Sequence, residues 1–272
     1  MRILSAAEPK LYTMIDTHAH MHGKEFTGDI DDVLARTASA GVERVVLIGV
    51  DVEDGRRALE LARRYPGQIS VVSGVHPHEA NLWSADTRAD LAQLLAEPEV
   101  VGLGEIGLDY HYDFSPREQQ RDAFLAQLEL SRELDKPVVI HCREAYVEVM
   151  QHLKDFYETP GTLSSPRGVL HCYFGNADQA REAAELGYLL GIGGSCTFKK
   201  AQELHDVVRQ VPLEQLVLET DAPYMTPVPF RGKRNESSYI PLIAARIAEL
   251  KGVPVEDVIH QTTANAKRLY RI

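Results

Sequence analysis

The hydrophobic pattern of this chain alternates short, β-branched apolar runs with longer amphipathic segments. The apolar runs predict eight strands, at 11–15, 44–48, 69–75, 100–104, 137–140, 168–170, 188–192 and 215–218. Helical spacing between them predicts helices, for example over 29–40 and 54–65. This alternation within 272 residues predicts an α/β fold, a single (β/α)8 TIM barrel. A doubly wound open sheet stays the alternative, because a sequence does not show strand order.

Three helix starts or stops carry specific signals. Ser115-Pro116-Arg117-Glu118 has the pattern of a capping box, and it predicts a helix that Ser115 caps and that runs to about 134. Asn176 is the predicted cap of a helix that stops at Gly187. Two further helices, over 240–250 and 255–270, are predicted to close the chain.

Composition indicates a globular protein outside the membrane. Apolar residues make up 44% of the chain and charged residues 25%, and no apolar run is long enough to cross a bilayer. The N-terminus lacks the apolar segment of a signal peptide, and the three cysteines show no paired spacing. We therefore expect a cytoplasmic protein with no membrane partner, made of an N-terminal extension, 1–13, and a barrel, 14–272.

The net charge of −11 argues against a large surface for duplex DNA, because such a surface attracts phosphates through many cations. It leaves room for a small site in which metal ions and a few basic side chains hold one phosphate.

Metal-binding residue types recur where the predicted strands end, which is where a barrel carries its catalytic groups. These residues are His18, His20, His76, Glu105, His141, His171 and Asp221. Six of these seven residues, four histidines and two carboxylates, suffice for two metal ions that share one bridging group. A mixed set of nitrogen and oxygen donors suits Zn or Mn, and suits Mg less well.

Seven motifs run in the order that one enzyme family shows. They are Asp16-Thr17-His18-Ala19-His20, Gly74-Val75-His76-Pro77-His78, Gly104-Glu105-Ile106-Gly107-Leu108-Asp109-Tyr110, His141-Cys142-Arg143, His171-Cys172-Tyr173, Glu219-Thr220-Asp221-Ala222-Pro223-Tyr224 and Arg231-Gly232-Lys233-Arg234-Asn235-Glu236. With them the chain resembles the TatD family of metal-dependent deoxyribonucleases, in the amidohydrolase superfamily. The resemblance covers residues 14 to about 265.

The resemblance implies two divalent metal ions (Zn, Mn or Mg) and a role for each ligand. One ion would be held by His18, His20 and Asp221, and the other by His141 and His171, with Glu105 between them. Asp221 would also be the base that positions a metal-bound hydroxide for attack on phosphorus. His76 would face the substrate phosphate.

The activity that the resemblance implies is hydrolysis of phosphodiester bonds in DNA, in repair or degradation. It suggests exonucleolytic action on single strands or ends, by a protein for which a monomer is plausible. At least one of Arg231, Lys233 and Arg234 is expected to contact a phosphate, with Arg143 and the Lys199-Lys200 pair as weaker candidates; a solvated basic run is the alternative. Rival functions are a related hydrolase acting on an ester, lactone or amide, and a metal-binding protein without activity.

Several residues stay open or are set aside. Glu219 either supports a ligand or packs in the barrel, and His78 shares a face with His76. Asp16 is expected to be a buried support, since the ligand set is complete without it. Cys142 and Cys172 are expected to pack, and His22, His111, His152, His205 and His260 to be surface or helix residues. The stretch 102–107 matches a dinucleotide fingerprint but lacks the helix it needs.

Overall fold

A parallel barrel forms the body of the molecule. The computed structural model describes residues 13–157, 160–162 and 164–272. In these residues eight strands pair in chain order: β1 (Met14–Ala19), β2 (Val42–Gly49), β3 (Ile69–Ser73), β4 (Val100–Asp109), β5 (Val138–Arg143), β6 (Gly168–Leu170), β7 (Tyr188–Ile192) and β8 (Leu216–Leu218). The segment after β8 returns to β1, where the Asp221 amide donates to the His18 carbonyl at 2.9 Å. The predicted barrel is confirmed.

Helices connect the strands and cover the outside of the sheet. Those in the described residues are α1 (Ile30–Ser39), α2 (Val52–Arg64), α3 (Ala85–Leu95), α4 (Arg117–Glu133), α5 (Tyr146–Phe156), α6 (Ala177–Glu185), α7 (Gln202–Gln210), α8 (Ile240–Lys251) and α9 (Val255–Tyr270). The two predicted closing helices are confirmed as α8 and α9. None of the helices in these ranges is long and apolar enough to span a membrane.

The apolar core has two layers, one inside the barrel and one between the sheet and the helices. The inner layer consists mainly of branched side chains from the strands: Ile15, Val46, Ile48, Val72, Val139, Val169, Leu189 and Val217. Leu269 and Tyr270 of α9 pack against this layer, and the Tyr270 hydroxyl donates to the Thr17 carbonyl at 3.2 Å. A filled interior gives the polar groups at the other end of the strands a rigid base.

Three strands continue at least three residues past their predicted ends. The strand predicted at 11–15 is β1, which continues to Ala19; the extension up to residue 12 lies outside the described residues. β4 and β5 extend past 104 and 140 because their backbones keep pairing, as Gly107 does with His141. As a result His18, Glu105 and His141 lie inside strands and not behind them. The apolar pattern stops early because the following side chains pair with one another inside the barrel.

The predicted capping box at Ser115, on the loop between β4 and α4, is wrong. Pro116 precedes the first residue of α4, and Ser115 makes no cap. The buried Ser115 hydroxyl instead donates to the His78 carbonyl at 2.8 Å, so a tertiary contact replaces the local one. By contrast, Asn176 caps α6 as predicted, in a capping box with Gln179.

The glycines of the stretch 102–107 allow β4 to lie close to its neighbouring strands. This stretch lies wholly within β4, so the helix that a dinucleotide fingerprint needs does not open inside it. Gly107 has a φ of +139°, and a Cβ there would lie 2.0 Å from the His141 carbonyl oxygen. Only glycine lets β4 approach β5 this closely.

Candidate metal centre

The Glu105 carboxylate lies at the centre of a buried group of histidines. Its Oε1 is 2.7 Å from His141 Nδ1 and 3.5 Å from Nε2 of both His76 and His171. Its Oε2 is 3.5 Å from His18 Nε2 and 4.0 Å from His20 Nε2. Each oxygen therefore faces a different set of imidazoles.

The set on the Oε2 side also contains Asp221. The Nε2 atoms of His18 and His20 lie 3.2 Å apart, and Asp221 Oδ1 is 3.8 Å from the first and 3.6 Å from the second. These residues come from opposite ends of the chain, and the closure of β8 on β1 brings them together. Two imidazoles and two carboxylate oxygens thus converge on one point.

Hydrogen bonds outside the cluster orient the imidazoles. His20 Nδ1 donates to the Ile48 carbonyl at 3.0 Å, which leaves the Nε2 lone pair directed at the cluster. His141 Nε2 donates to Asp109 Oδ2 at 3.0 Å, so its Nδ1 faces Glu105. This is the arrangement by which proteins commonly prepare a histidine to bind a metal ion.

Glu219 supports the position of His171. Its Oε1 accepts from the Cys172 amide at 2.6 Å and lies 3.2 Å from His171 Nδ1. Of the two readings left open for Glu219, the contact with His171 favours support of a ligand, although the side chain is also buried in the barrel.

Asp16 braces the backbone beneath the cluster. It accepts hydrogen bonds from the Thr220 amide and hydroxyl, from the His18 amide and from the Ser237 hydroxyl. Burial raises the pKa of this carboxyl to about 7, even though these hydrogen bonds favour the charged form. Its partners lie on both sides of the β1–β8 closure, so Asp16 supports the site as expected.

Burial and opposite charges act against each other on the ionisable groups. Burial opposes ionisation of Glu105, yet His171 and His76 hold its pKa well below the usual range. Burial also opposes protonation of His171, but Glu219 and Glu105 outweigh it and raise its pKa to about 10. At His76 burial prevails and lowers the pKa to about 4. Divalent cations would compete with these protons for the same nitrogen atoms.

The donor set fits divalent metal ions. Three groups each bring three ligand atoms within 4.8 Å of one another: His18 with His171 and Asp221, His18 with His20 and Glu105, and His76 with Glu105 and His141. The Nδ1 atoms of His18 and His171 and Glu219 Oε2 are buried without a hydrogen bond in the described residues. Imidazole nitrogens mixed with carboxylate oxygens are typical ligands of Zn and Mn.

Comparison with known proteins assigns the family. The model of the family described as TatD related DNase matches residues 15–271. The chain belongs to this family. It is 37% identical over 265 residues to the 3'-5' ssDNA/RNA exonuclease TatD of Salmonella typhimurium, covering 95% of this chain and 99% of the relative. The uncharacterized metal-dependent hydrolase YabD of Bacillus subtilis is 39% identical over 259 residues, with the same coverage of both chains.

A solved structure of the TatD family has the same fold. The crystal structure of YJJV, a TatD homolog from Escherichia coli K12, matches with a TM-score of 0.88 and 32% identity, over 96% of this chain and 99% of that one. The protein is therefore a metal-dependent hydrolase of the TatD family, and its polar cluster lies where the strands of the barrel end.

The basic candidates differ in what they contact. Arg234 is engaged in an ion pair with Asp29 at 2.6 Å. Arg231 and Lys233 are exposed, and each lies over an aromatic ring, of Phe198 and Phe230 respectively. Arg143 is exposed as well. None of these last three forms an ion pair within the ranges that the structure describes, so they are free to meet a phosphate.

A cavity of about 560 Å³ adjoins the cluster. His141, His171 and Asp221 form part of its wall, and Tyr146 and Phe174 form another part. Burial raises the pKa of the Cys142 thiol, which also lines the cavity, to about 12, in keeping with the expected packing role.

Two histidines that were set aside prove to be buried. His22 pairs with Asp54 at 3.0 Å and its side chain is 2% exposed, so it is neither a surface nor a helix residue. His205 lies on α7, and its Nε2 donates to the Cys196 carbonyl at 2.8 Å. Both are held by hydrogen bonds apart from the cluster.

Sequence reasoning missed the part that Asp109 plays. Its buried Oδ2 accepts from both His141 and His78, at 3.0 and 2.9 Å. The signal was present, because residues 105, 107 and 109 share one face of a strand that continues past 104. Ending the strand early concealed it.

Proposed function

We propose that this TatD-family hydrolase is a deoxyribonuclease that shortens single strands or frayed ends at a two-metal centre. The observation that carries the proposal is the position of Glu105. One of its oxygens faces His18 and His20, and the other faces His141 and His171. A carboxylate placed in this way between two sets of donors suits a group that bridges two ions.

The ligands divide into two sets around this bridge. His18, His20 and Asp221 would hold one ion, and His141 and His171 the other. Bound divalent ions supply Lewis acidity toward a phosphoryl oxygen and make water a stronger acid. The four imidazoles favour Zn or Mn over Mg.

The protein's own groups would handle the proton and the phosphate. Asp221 would accept the proton of the attacking water, since its carboxylate lies at the edge of the cluster beside the cavity. His76, whose Nε2 is 3.5 Å from Glu105, would contact a phosphate oxygen. Asp221, Glu105 and His76 are thus the proposed catalytic residues.

The surroundings of the metal centre suit the end of a DNA strand. A cavity of about 560 Å³ is large enough for one nucleotide, and its aromatic and polar walls suit a base and a sugar. Arg143 at the cavity, with Arg231 and Lys233 on the loop after β8, would contact phosphates. The relative named as a 3'-5' ssDNA/RNA exonuclease supports this substrate class.

The test combines metal analysis with strand shortening. The purified protein is expected to carry divalent metal and to shorten an end-labelled single-stranded oligonucleotide with Zn, Mn or Mg. Glu105→Gln is expected to lower the rate at least about 100-fold, since the amide is neutral and replaces one carboxylate oxygen with an NH2 group that does not bind a metal ion. Glu133→Gln, at an exposed carboxylate of α4, is the matched control. No shortening with any of the three metals would overturn the proposal.

Replacing Arg231 and Lys233 on the loop after β8 distinguishes a phosphodiester substrate from the rival substrates. If phosphate is the substrate group, the double variant Arg231→Ala/Lys233→Ala raises the KM for an oligonucleotide and weakens its salt dependence. A hydrolase of esters, lactones or amides would keep its activity in that variant and would leave the oligonucleotide intact.

A further inference from the structure

Two exposed aromatic rings are stacked on each other on the loop between β4 and α4. Phe114 is 69% exposed and Tyr112 48%, and their rings stack with centroids 5.2 Å apart and planes 18° apart. Single exposed apolar side chains are ordinary, but a stack of two rings left in water has an outer ring face on which another planar group can stack.

The ring pair is tied to the metal centre through His78. The His78 imidazole meets the Phe114 ring edge-on at 4.8 Å and the Tyr112 ring at 5.6 Å. Its Nε2 donates to Asp109 Oδ2, the oxygen that also accepts from His141. The other oxygen of Asp109 accepts from the backbone amides of His111 and Tyr112. One buried carboxylate thus positions both a proposed metal ligand and the ring pair.

The charge beside the rings is positive. The guanidinium of Arg143 lies 4.7 Å from the centre of the Tyr112 ring, and the same residue lines the cavity next to the cluster. The acidic groups nearby are already paired, Asp113 with Arg117 and Glu144 with His111. An exposed aromatic face next to an arginine that forms no ion pair in the described residues is the combination that binds unpaired bases and their phosphates.

We propose that Tyr112 and Phe114 form a stacking platform for unpaired bases of the strand whose end lies at the metal centre. Arg143 contacts the phosphate between the terminal nucleotide and the stacked ones. The platform rests on the proposed function, because it needs a nucleic-acid strand as the substrate. Bases paired in a duplex do not offer their faces to the rings, so the platform selects single strands.

The test compares a substrate whose bases can stack on the rings with one that lacks such bases. Tyr112→Leu/Phe114→Leu keeps apolar bulk but removes both rings. It is expected to raise the KM for a single strand of about ten nucleotides by roughly 10-fold, with little change in kcat. The same strand with abasic sites in place of its internal bases, which have no ring to stack, is expected to be cleaved as by the wild type. Leu134→Ala, at the other end of α4, is the control and is expected to change neither value.

A second variant tests stacking directly. Phe114→Trp keeps a flat ring, so its KM is expected to stay within about two-fold of the wild type. Its fluorescence is expected to be quenched when the strand is mixed in a stopped-flow instrument, before turnover, and more strongly than that of the wild type with Trp83 alone.

The possible outcomes separate the platform from the proposed function. An unchanged KM for the unmodified strand in the leucine variant, or an equal loss on both substrates, overturns the platform while leaving the nuclease in place. If the wild-type protein cleaves no strand at all, the proposed function itself is wrong.

Discussion

At the scale of the residue, the site depends on carboxylates that touch histidines from outside the cluster. Asp109 is the clearest case, since its Oδ2 accepts a hydrogen bond from His141 and so directs the other ring nitrogen at Glu105. Glu219 has a comparable position beside His171. Such groups hold a ring in the orientation and tautomer that a metal ion needs.

Replacing Asp109 tests this effect. Asp109→Asn is expected to weaken metal binding by about 10- to 100-fold, because the amide no longer holds His141 in its orientation. Titration against a chromophoric chelator measures the affinity. Asp113→Asn on the same loop is the control, since Asp113 is exposed and pairs with the exposed Arg117. Equal affinities for the two variants would show that Asp109 has no such part.

The cysteines permit a second prediction at this scale. Burial raises the pKa of both Cys142 and Cys196 to about 12, so almost no thiolate is present at pH 8. We expect iodoacetamide to modify these residues in the folded protein at least about 100-fold more slowly than in urea. Peptide mass spectrometry after timed labelling measures the two rates, and fast labelling of the folded protein would contradict the prediction.

At the scale of the element, a charged pair joins α1 to the loop that follows β8. Arg36 donates two hydrogen bonds to the buried carboxylate of Glu236, at 2.9 and 2.7 Å. Arg234, on the same loop, pairs with Asp29 at the start of α1. The loop that carries Arg231 and Lys233 is therefore attached to the barrel on one side.

We expect the Arg36–Glu236 pair to contribute to the free energy of unfolding in a pH-dependent way. Burial opposes the ionisation of Glu236, but Arg36 and Ser238 outweigh it and lower its pKa in the folded state. The stabilisation is thus present above the unfolded pKa and is lost as the pH falls through the folded one. Because Arg36 is half exposed, we expect Glu236→Gln to cost only about 1 kcal/mol at pH 7.

Urea unfolding at a series of pH values measures this contribution. The difference between the wild type and Glu236→Gln is expected to shrink as the pH falls below about 4.5. The control is Glu53→Gln, which removes an exposed pair within α2 and is expected to change stability little. A difference that stays constant with pH would contradict the assignment to Glu236.

At the scale of the whole molecule, the cluster connects strands that are distant in the sequence. Around Glu105 on β4, His18 of β1 and Asp221 after β8 lie on one side and His141 of β5 lies on the other. A metal ion bound there would join these strands and would stabilise only the folded chain.

Removing metal is therefore expected to lower the Tm. Metal at 100 times its Kd contributes about 2.7 kcal/mol, which corresponds to a shift of roughly 5–10 °C for a domain of this size. Calorimetry with Zn or Mn, and again after chelation, measures it. Glu105→Gln is expected to show a smaller shift, and an equal shift in both proteins would indicate that the metal binds elsewhere.

Much of the fold could be predicted, and the errors have one cause. Apolar runs place β6 and β7 correctly, since these strands lie wholly within the core. β4 and β5 were predicted too short because polar residues interrupt the apolar pattern, and two of these, Glu105 and His141, pair with each other in the interior. The Ser115 capping box failed because a tertiary hydrogen bond to His78 took the hydroxyl. Local patterns do not contain such long-range pairings.

The sequence by itself determined the alternation of eight strands with helices and the set of candidate ligands, because strand period and motif order are local properties of the chain. The tertiary structure alone decided which oxygen of Glu105 faces which imidazoles, and that Asp109 supports both His141 and the exposed rings. Those contacts depend on the register between β4 and β5 and on the closure of β8 onto β1. Both are set by the packing of the whole barrel.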